Sequence, residues 1–76
     1  MIFTPPYSVE YRIEAIAQSG DPILRVYRYG SQVQYNDDYS GLSSRIDMWM
    51  ETGTEYLIEV AGYRGGSGHF EIRVDG

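Results

Sequence analysis

The chain contains no cysteine and no lysine among its 76 residues. Without cysteine it can form neither a disulfide framework nor a thiolate metal site, and it has no thiol nucleophile. It also lacks a long apolar run, so no segment predicts a membrane-spanning helix. A domain of this length has a thin core. Eight tyrosines and one tryptophan add apolar surface, and they favour a folded domain over a disordered tail.

Positive charge is also scarce, because six basic residues face eleven acidic ones and give a net charge of −5. Duplex nucleic acids and anionic membranes are bound through basic surfaces. We therefore expect neither nucleic acid nor membrane among the partners. The first residues lack the positive and long apolar regions of a signal peptide. Two interpretations of localisation follow: an intracellular protein, or a piece of a longer secreted chain.

The sequence does contain short segments in which apolar and polar residues alternate. This period of two predicts strands with one buried face and one wet face. The segments span residues 9–17, 23–29, 32–35, 43–50, 56–60 and 70–74, with turn residues between them. For residues 43–50 a short helix is an alternative, because Ser43 or Ser44 could cap it. The repeat of Ile46, Met48 and Met50 at every second position favours a strand.

Strands with one apolar and one polar face are typical of antiparallel sheets packed face to face. The sequence therefore predicts an all-β protein, an antiparallel β-sandwich of six to seven short strands. We expect residues 1–76 to form this single domain. The predicted core consists of Leu24, Val26, Ile46, Met48, Tyr56, Ile58, Val60, Phe70 and Ile72.

An ordered set of short motifs from Asp21 onward resembles the bacterial pre-peptidase C-terminal domain family. Their order and gaps fit over about residues 9–75. The motifs are Asp21-Pro-Ile-Leu-Arg-Val-Tyr27, Asn36-Asp-Asp38, Ser44-Arg-Ile46, Gly53-Thr54, Tyr56-Leu-Ile-Glu-Val60, Gly62-Tyr63, Gly66-Ser-Gly68 and Phe70-Glu-Ile-Arg-Val74. Two departures are a reduced opening strand, for which Ile2-Phe3-Thr4 is the remnant, and the lack of an attached catalytic domain.

The resemblance implies a jelly-roll β-sandwich that serves as a non-catalytic accessory domain of a secreted bacterial hydrolase, often a peptidase. It implies an extracellular location as part of a longer chain, with the parent catalytic domain as one partner. Family members are linked to secretion, to removal during maturation and, in collagenase relatives, to calcium-assisted collagen binding. Two functions follow: binding of an extracellular protein or polysaccharide, or a structural or processing role without a ligand.

Oxygen-bearing side chains cluster in the loop that follows residue 35. Asn36, Asp37 and Asp38 are consecutive, and Asp21 precedes a strand that could bring it near them. Calcium prefers six to eight oxygen ligands, which these side chains could supply together with carbonyls and water. The alternative is a plain turn, because Asn and Asp side chains bond nearby main-chain amides. The sequence is compatible with both interpretations, a calcium site and a plain turn.

Aromatic residues form the second candidate site. Tyr27, Tyr29 and Trp49 fall on positions opposite the predicted core, whereas Tyr39 and Tyr63 lie in predicted loops. Exposed Tyr and Trp offer rigid contact area with a polar end, which suits recognition of protein or sugar. The alternative is that they form cross-strand pairs that stabilise the sheet. Tyr27, Tyr29, Trp49 and Tyr63 are the predicted ligand-binding residues.

Signals for catalysis are weak, so we expect no enzyme. His69 has no acidic partner at catalytic spacing, and no serine lies in a Gly-x-Ser-x-Gly elbow. The glycine-rich residues 62–68 lack the lysine of a phosphate loop and predict a flexible connection. Outward glutamates such as Glu10 and Glu14 could pair as in glycosidases, but a small sandwich offers no deep cleft for them.

The calcium hypothesis predicts that millimolar calcium raises the melting temperature of the chain, because a ligand that binds only the folded state stabilises it. Calorimetric titration together with a thermal shift assay measures this. A titration that releases no heat and leaves the melting temperature unchanged removes the calcium site and leaves the turn.

Overall fold

The computed structural model describes residues 1–37, 43–66 and 68–76, which contain seven strands and one 3-10 helix, Tyr63–Gly65. No helix in these ranges is long and apolar enough to cross a membrane. The strands are β1 (Ile2–Phe3), β2 (Val9–Ser19), β3 (Pro22–Arg28), β4 (Ser31–Asn36), β5 (Ser43–Met50), β6 (Tyr56–Gly62) and β7 (His69–Asp75).

The strands form two antiparallel sheets. The four-stranded sheet has the order β1-β6-β3-β4, and the three-stranded sheet has the order β5-β2-β7. Every neighbouring pair is antiparallel. The predicted all-β sandwich is therefore confirmed, including a strand rather than a helix at residues 43–50. β1 is only two residues long.

The core lies between the two sheets and centres on β2. Ile13 is fully buried, and its cross-strand neighbours are Ile46 on β5 and Val74 on β7. Both sheets contribute to one cluster of buried side chains, which consists of Tyr11, Ile13, Ala15, Leu24, Val26, Ile46, Met50, Tyr56 and Ile58. Burying one such large side chain stabilises the fold by about 1.5–3 kcal/mol before the loss of chain entropy.

The predicted core is confirmed in its centre and is more open at its margins. Leu24, Val26, Ile46, Tyr56 and Ile58 are buried. The remaining predicted members are half-buried: Met48, Val60, Phe70 and Ile72. β7, which carries two of these four, is an edge strand, and an edge strand has a neighbour on one side only. The alternation correctly assigned their facing, and the edge position of β7 accounts for the partial exposure of Phe70 and Ile72 only, since Val60 lies on the inner strand β6.

One buried polar side chain links the sheets. Ser44 on β5 is fully buried, and its hydroxyl donates a hydrogen bond to the carbonyl of Pro22 at the start of β3. A buried hydroxyl must find such a partner, because an unpaired one costs about 1–3 kcal/mol. This bond aligns β3 in one sheet with β5 in the other.

Most strand boundaries differ by one or two residues from the sequence-based prediction, and β3 ends at Arg28, so Tyr29 lies in the following turn rather than in the predicted strand. β2 continues through Ser19, two residues beyond the expected end, and Asn36 belongs to β4 rather than to the following loop. The connection predicted as flexible contains the 3-10 helix. The main-chain N–H of Tyr63 donates to the Asp21 carbonyl at 2.7 Å, which ties this helix to the start of β3. The local sequence pattern does not predict long-range hydrogen bonds of this kind.

Replacing Ile13 by Ala should destabilise the domain by about 2–5 kcal/mol, because the cavity at the centre of the core cannot collapse fully. Ile13→Val should lower the free energy of unfolding by only about 0.5–1.5 kcal/mol, so the effect can still be measured if the Ala variant does not fold. Urea denaturation measures both. The matched control is Ile16→Ala on the outer face of the same strand. An equal loss for Ile13→Ala and Ile16→Ala would contradict the described facing of β2.

Candidate functional site

The outer face of the three-stranded sheet is covered by charges of alternating sign. Arg12 on β2 lies between Asp47 and Asp75, and Glu14 lies between Arg45 and Arg73. Ion pairs join Arg12 to Asp47 at 3.1 Å and Arg45 to Asp47 at 2.9 Å. Opposite charges facing each other across strands stabilise a sheet modestly. Ion pairs therefore compensate this face only in part, because its carboxylates outnumber its arginines, and the face keeps a net negative charge.

These cross-strand charges change the pKa of Asp47. The hydrogen bond from Arg45 lowers the pKa of Asp47 below its ordinary value, and the bond from Arg12 acts in the same direction. A lowered pKa in the folded state means that the ion pairs stabilise the fold at neutral pH and stop doing so as the pH falls through that pKa. The contribution is small, because solvent screens the pair at this surface.

The outer face of the four-stranded sheet carries one ion pair, Arg25–Glu59 at 3.2 Å, and it differs because several of its exposed apolar side chains are neighbours. The register places Ile2 beside Leu57 and Leu57 beside Tyr27, so the three residues form one row across β1, β6 and β3. Ile2 is 66 % exposed and Leu57 is 43 % exposed. Exposed apolar residues that lie together, rather than singly, are typical of interaction surfaces.

A groove of about 700 Å³ opens along this row at the end of the sheet. Such a volume is within the range of ligand-binding clefts, about 300–1,000 Å³. Glycines of two turns, Gly30 and Gly53, form part of its wall. The side chains that characterise the groove are Ile2, Tyr27, Tyr29, Glu55 and Leu57, whereas Tyr56 borders it with a side chain that is buried in the core.

Tyr29 is held in an unfavourable backbone conformation at the rim of this groove. It forms the two-residue β3–β4 turn with Gly30, and both residues have positive φ, 52° and 79°. Tight hairpin turns need this pair of angles, which glycine and asparagine adopt readily and other residues adopt at a cost of about 1–2 kcal/mol. The Tyr29 side chain is 82 % exposed. A strained, exposed aromatic side chain points to a function outside the fold.

Arg28 supports the tyrosine rings from the inner side of the sheet. Its guanidinium carbon lies 5.3 Å from the ring centre of Tyr29 and 5.9 Å from that of Tyr56. These are cation–π distances. The buried Nε of Arg28 has no hydrogen-bond partner among the described residues. The two rings are therefore the main contacts of this charge in the described part of the chain.

The loop between β5 and β6, which forms the opposite wall, is fixed by hydrogen bonds. The main-chain N–H of Glu51 donates to the hydroxyl of Tyr56 at 2.8 Å, and Gly53 N–H donates to the Pro5 carbonyl at 3.3 Å. The Thr52 hydroxyl also donates to the Pro5 carbonyl. A loop that is held at several points presents its side chains in a defined place, which lowers the entropic cost of binding.

The structure separates the aromatic residues predicted as a ligand site. Tyr27 and Tyr29 line the groove together. Trp49 lies on the other outer face and is 57 % exposed, with its indole N–H donating to the Glu51 carboxylate at 2.9 Å. Tyr63 lies after the far end of β6, where its ring contacts Arg64. Tyr39 is outside the described residues. Only two of the four predicted binding residues therefore belong to one site.

The structure describes three of the four predicted calcium ligands, Asp21, Asn36 and Asp37. Asp21 and Asp37 lie near one end of β3 and β4, because Leu24 pairs with Asn36. The Asn36 side-chain oxygen accepts a hydrogen bond from Arg45 N–H at 3.3 Å, and Asp38 lies outside the described residues. Residues 1–37, 43–66 and 68–76 contain no group of three or more potential acidic, His or Cys ligands. The calcium site stays a prediction.

Sequence reasoning did not identify the aliphatic part of the groove. Leu57 stands between Glu55 and Glu59 on the outward positions of its strand, and Ile2 belongs to the short opening strand. A large apolar residue on an outward position was the available signal. Its meaning depends on the cross-strand neighbours, which the local pattern does not supply.

Comparisons with protein-family models, with curated proteins and with solved structures find no match to this chain. The functional argument therefore depends on the described geometry and on the sequence resemblance stated above.

Replacing Tyr29 by Asn should raise the melting temperature by a few degrees. Asn relieves about 1–2 kcal/mol of left-handed strain, and loss of the Arg28 contact offsets about 0.5–1 kcal/mol of it. Differential scanning calorimetry measures the shift, which is about 4–8 °C per kcal/mol in a domain of this size. The control is Tyr35→Asn on β4, which should lower the melting temperature because Asn is unfavourable in strands. A less stable Tyr29→Asn variant would contradict the strain argument.

Proposed function

We propose that this chain is a non-catalytic binding module, an accessory domain of a secreted bacterial hydrolase or peptidase. It attaches the parent catalytic domain to an extracellular protein or polysaccharide through the groove at Tyr27 and Tyr29. The family resemblance supports the accessory role and the secreted location. Calcium assistance is part of the same resemblance, but the groove does not depend on it.

The observation that carries the proposal is the exposed side chain and unfavourable backbone conformation of Tyr29. This side chain contributes exposed surface rather than core, and its backbone conformation costs stability. A residue that served only the turn would be glycine or asparagine, which need no strain there. A tyrosine at this position is explained if its ring contacts a ligand.

The difference between the outer faces supports the same location. The three-stranded sheet presents mainly charged side chains, whereas the four-stranded sheet presents Ile2, Leu57 and tyrosine rings beside a groove, together with one ion pair. Aromatic and aliphatic anchors in a groove dominate binding energy, while exposed ion pairs contribute little. We therefore assign the groove, rather than the face that carries Trp49, as the binding surface.

Tyr29→Asn should reduce binding to an insoluble polymer at least about tenfold, because loss of an anchor costs about 2 kcal/mol or more. Depletion of the chain from solution by insoluble collagen, chitin and cellulose measures binding. Trp49→Ala is the matched control, since it removes an exposed aromatic residue from the other face. It should bind as the parent chain does.

Two results would reject this proposal. Equal losses of polymer binding for Tyr29→Asn and Trp49→Ala would show that the binding surface is not confined to the groove. Absence of depletion by any of the polymers, together with poor secretion of the parent protein after deletion of the module, would support the structural or processing role instead.

A further inference from the structure

The groove contains one charged side chain among the described residues that line it, and that residue is acidic. Glu55 is exposed, and none of the described arginines lies within ion-pair distance of it. The chain as a whole has a net charge of −5. An uncompensated carboxylate in an acidic protein attracts cations and repels anions.

The tyrosines add to this preference. Tyr27 pairs with Leu57 across β3 and β6, and the next positions along the same two strands beyond Arg28 and Tyr56 are Tyr29 and Glu55. All four residues line the groove. The face of a tyrosine ring is electronegative and attracts ammonium and guanidinium groups. The groove therefore combines a carboxylate, two aromatic rings and an aliphatic floor.

Arg28 is a nearby cation that would oppose binding of a second cation if its charge faced the groove. Its guanidinium contacts the rings of Tyr29 and Tyr56 but it is not among the residues that line the groove. It alternates with the buried Leu24 and Val26, which places it on the inner side of the sheet. A ligand in the groove meets Glu55 and the ring of Tyr27 on the outer side.

We propose that the groove binds an arginine or lysine side chain of an extended protein segment, with Glu55 pairing its charge and the rings of Tyr27 and Tyr29 contacting its charged end. Aliphatic neighbours of that side chain pack on Ile2 and Leu57. This inference rests on the proposed function of the groove and selects protein over polysaccharide. A neutral sugar would gain hydrogen bonds from the Glu55 carboxylate but no ion pair, and Ile2 and Leu57 offer its hydroxyls no side-chain hydrogen bonds.

Titration of the 76-residue chain with blocked tripeptides, followed by amide NMR shifts, tests the inference. The probes are Leu-Arg-Leu, Leu-Gln-Leu and Leu-Glu-Leu. Leu-Arg-Leu should bind about 3–30-fold more tightly than Leu-Gln-Leu, as expected for one exposed ion pair plus a cation–π contact. The shifted amides should include Gly30, Thr54 and Leu57, and the preference should weaken at high ionic strength.

Glu55→Gln should abolish the preference for the arginine peptide. The matched control is Glu10→Gln, which removes the same unit charge from an exposed position on the other outer face. Glu10→Gln should keep the preference, so a general effect of net charge is separated from the local effect of Glu55.

Equal binding of the arginine and glutamine peptides in the groove would overturn the inference about charge and leave the binding module intact. Preference for Leu-Glu-Leu would overturn it in favour of an anion that reaches Arg28. Failure of all peptides to shift the groove amides at millimolar concentration would also overturn it. Polymer adhesion that is lost in Tyr29→Asn would still support the proposed function in that case.

Discussion

The structure depends on one constraint, which is that each sheet has an apolar face that cannot remain in water. β2 illustrates it best, because Tyr11, Ile13 and Ala15 are buried on one side while Arg12 and Glu14 lie on the other. A single three-stranded or four-stranded sheet this small would expose that face. The two sheets therefore pack against each other, and the hydrophobic effect supplies the main driving force.

Burial of the two inner faces leaves the outer faces free, and the chain uses them differently. Cross-strand ion pairs around Arg12 and Asp47 cover one outer face and favour solubility. The other has a row of Ile2, Leu57 and Tyr27 that ends at a groove. The fold therefore provides one surface of mostly charged side chains and one surface with a row of apolar side chains beside a groove. The proposed binding function is placed on the second surface for that reason.

Strain and stability are also distributed unevenly. The core and the Ser44 bond between sheets hold the domain together, whereas the β3–β4 turn carries the unfavourable backbone of Tyr29. A short chain has little stability to spare. A costly residue at an exposed turn of such a chain fits the pattern in which functional sites are strained and the surrounding scaffold compensates.

Much of the fold was accessible from alternation alone. The period of two predicted most strands and the inward facing of Leu24, Val26, Ile46 and Ile58, because side chains in a strand must point to opposite faces. The site was accessible only in part. Tyr27 and Tyr29 were recognised as outward aromatics, but so was Trp49, and nothing local to β5 indicates that it lies on the other sheet.

The sequence by itself determined the strand class, the acidic charge and which residues face outward. Only the tertiary structure decided which outward residues are neighbours. Leu57 meets Ile2 and Tyr27 because β6 lies between β1 and β3, although these strands are far apart in the chain. Strand order and register arise from long-range pairing, which the short-range alternation of side chains does not encode.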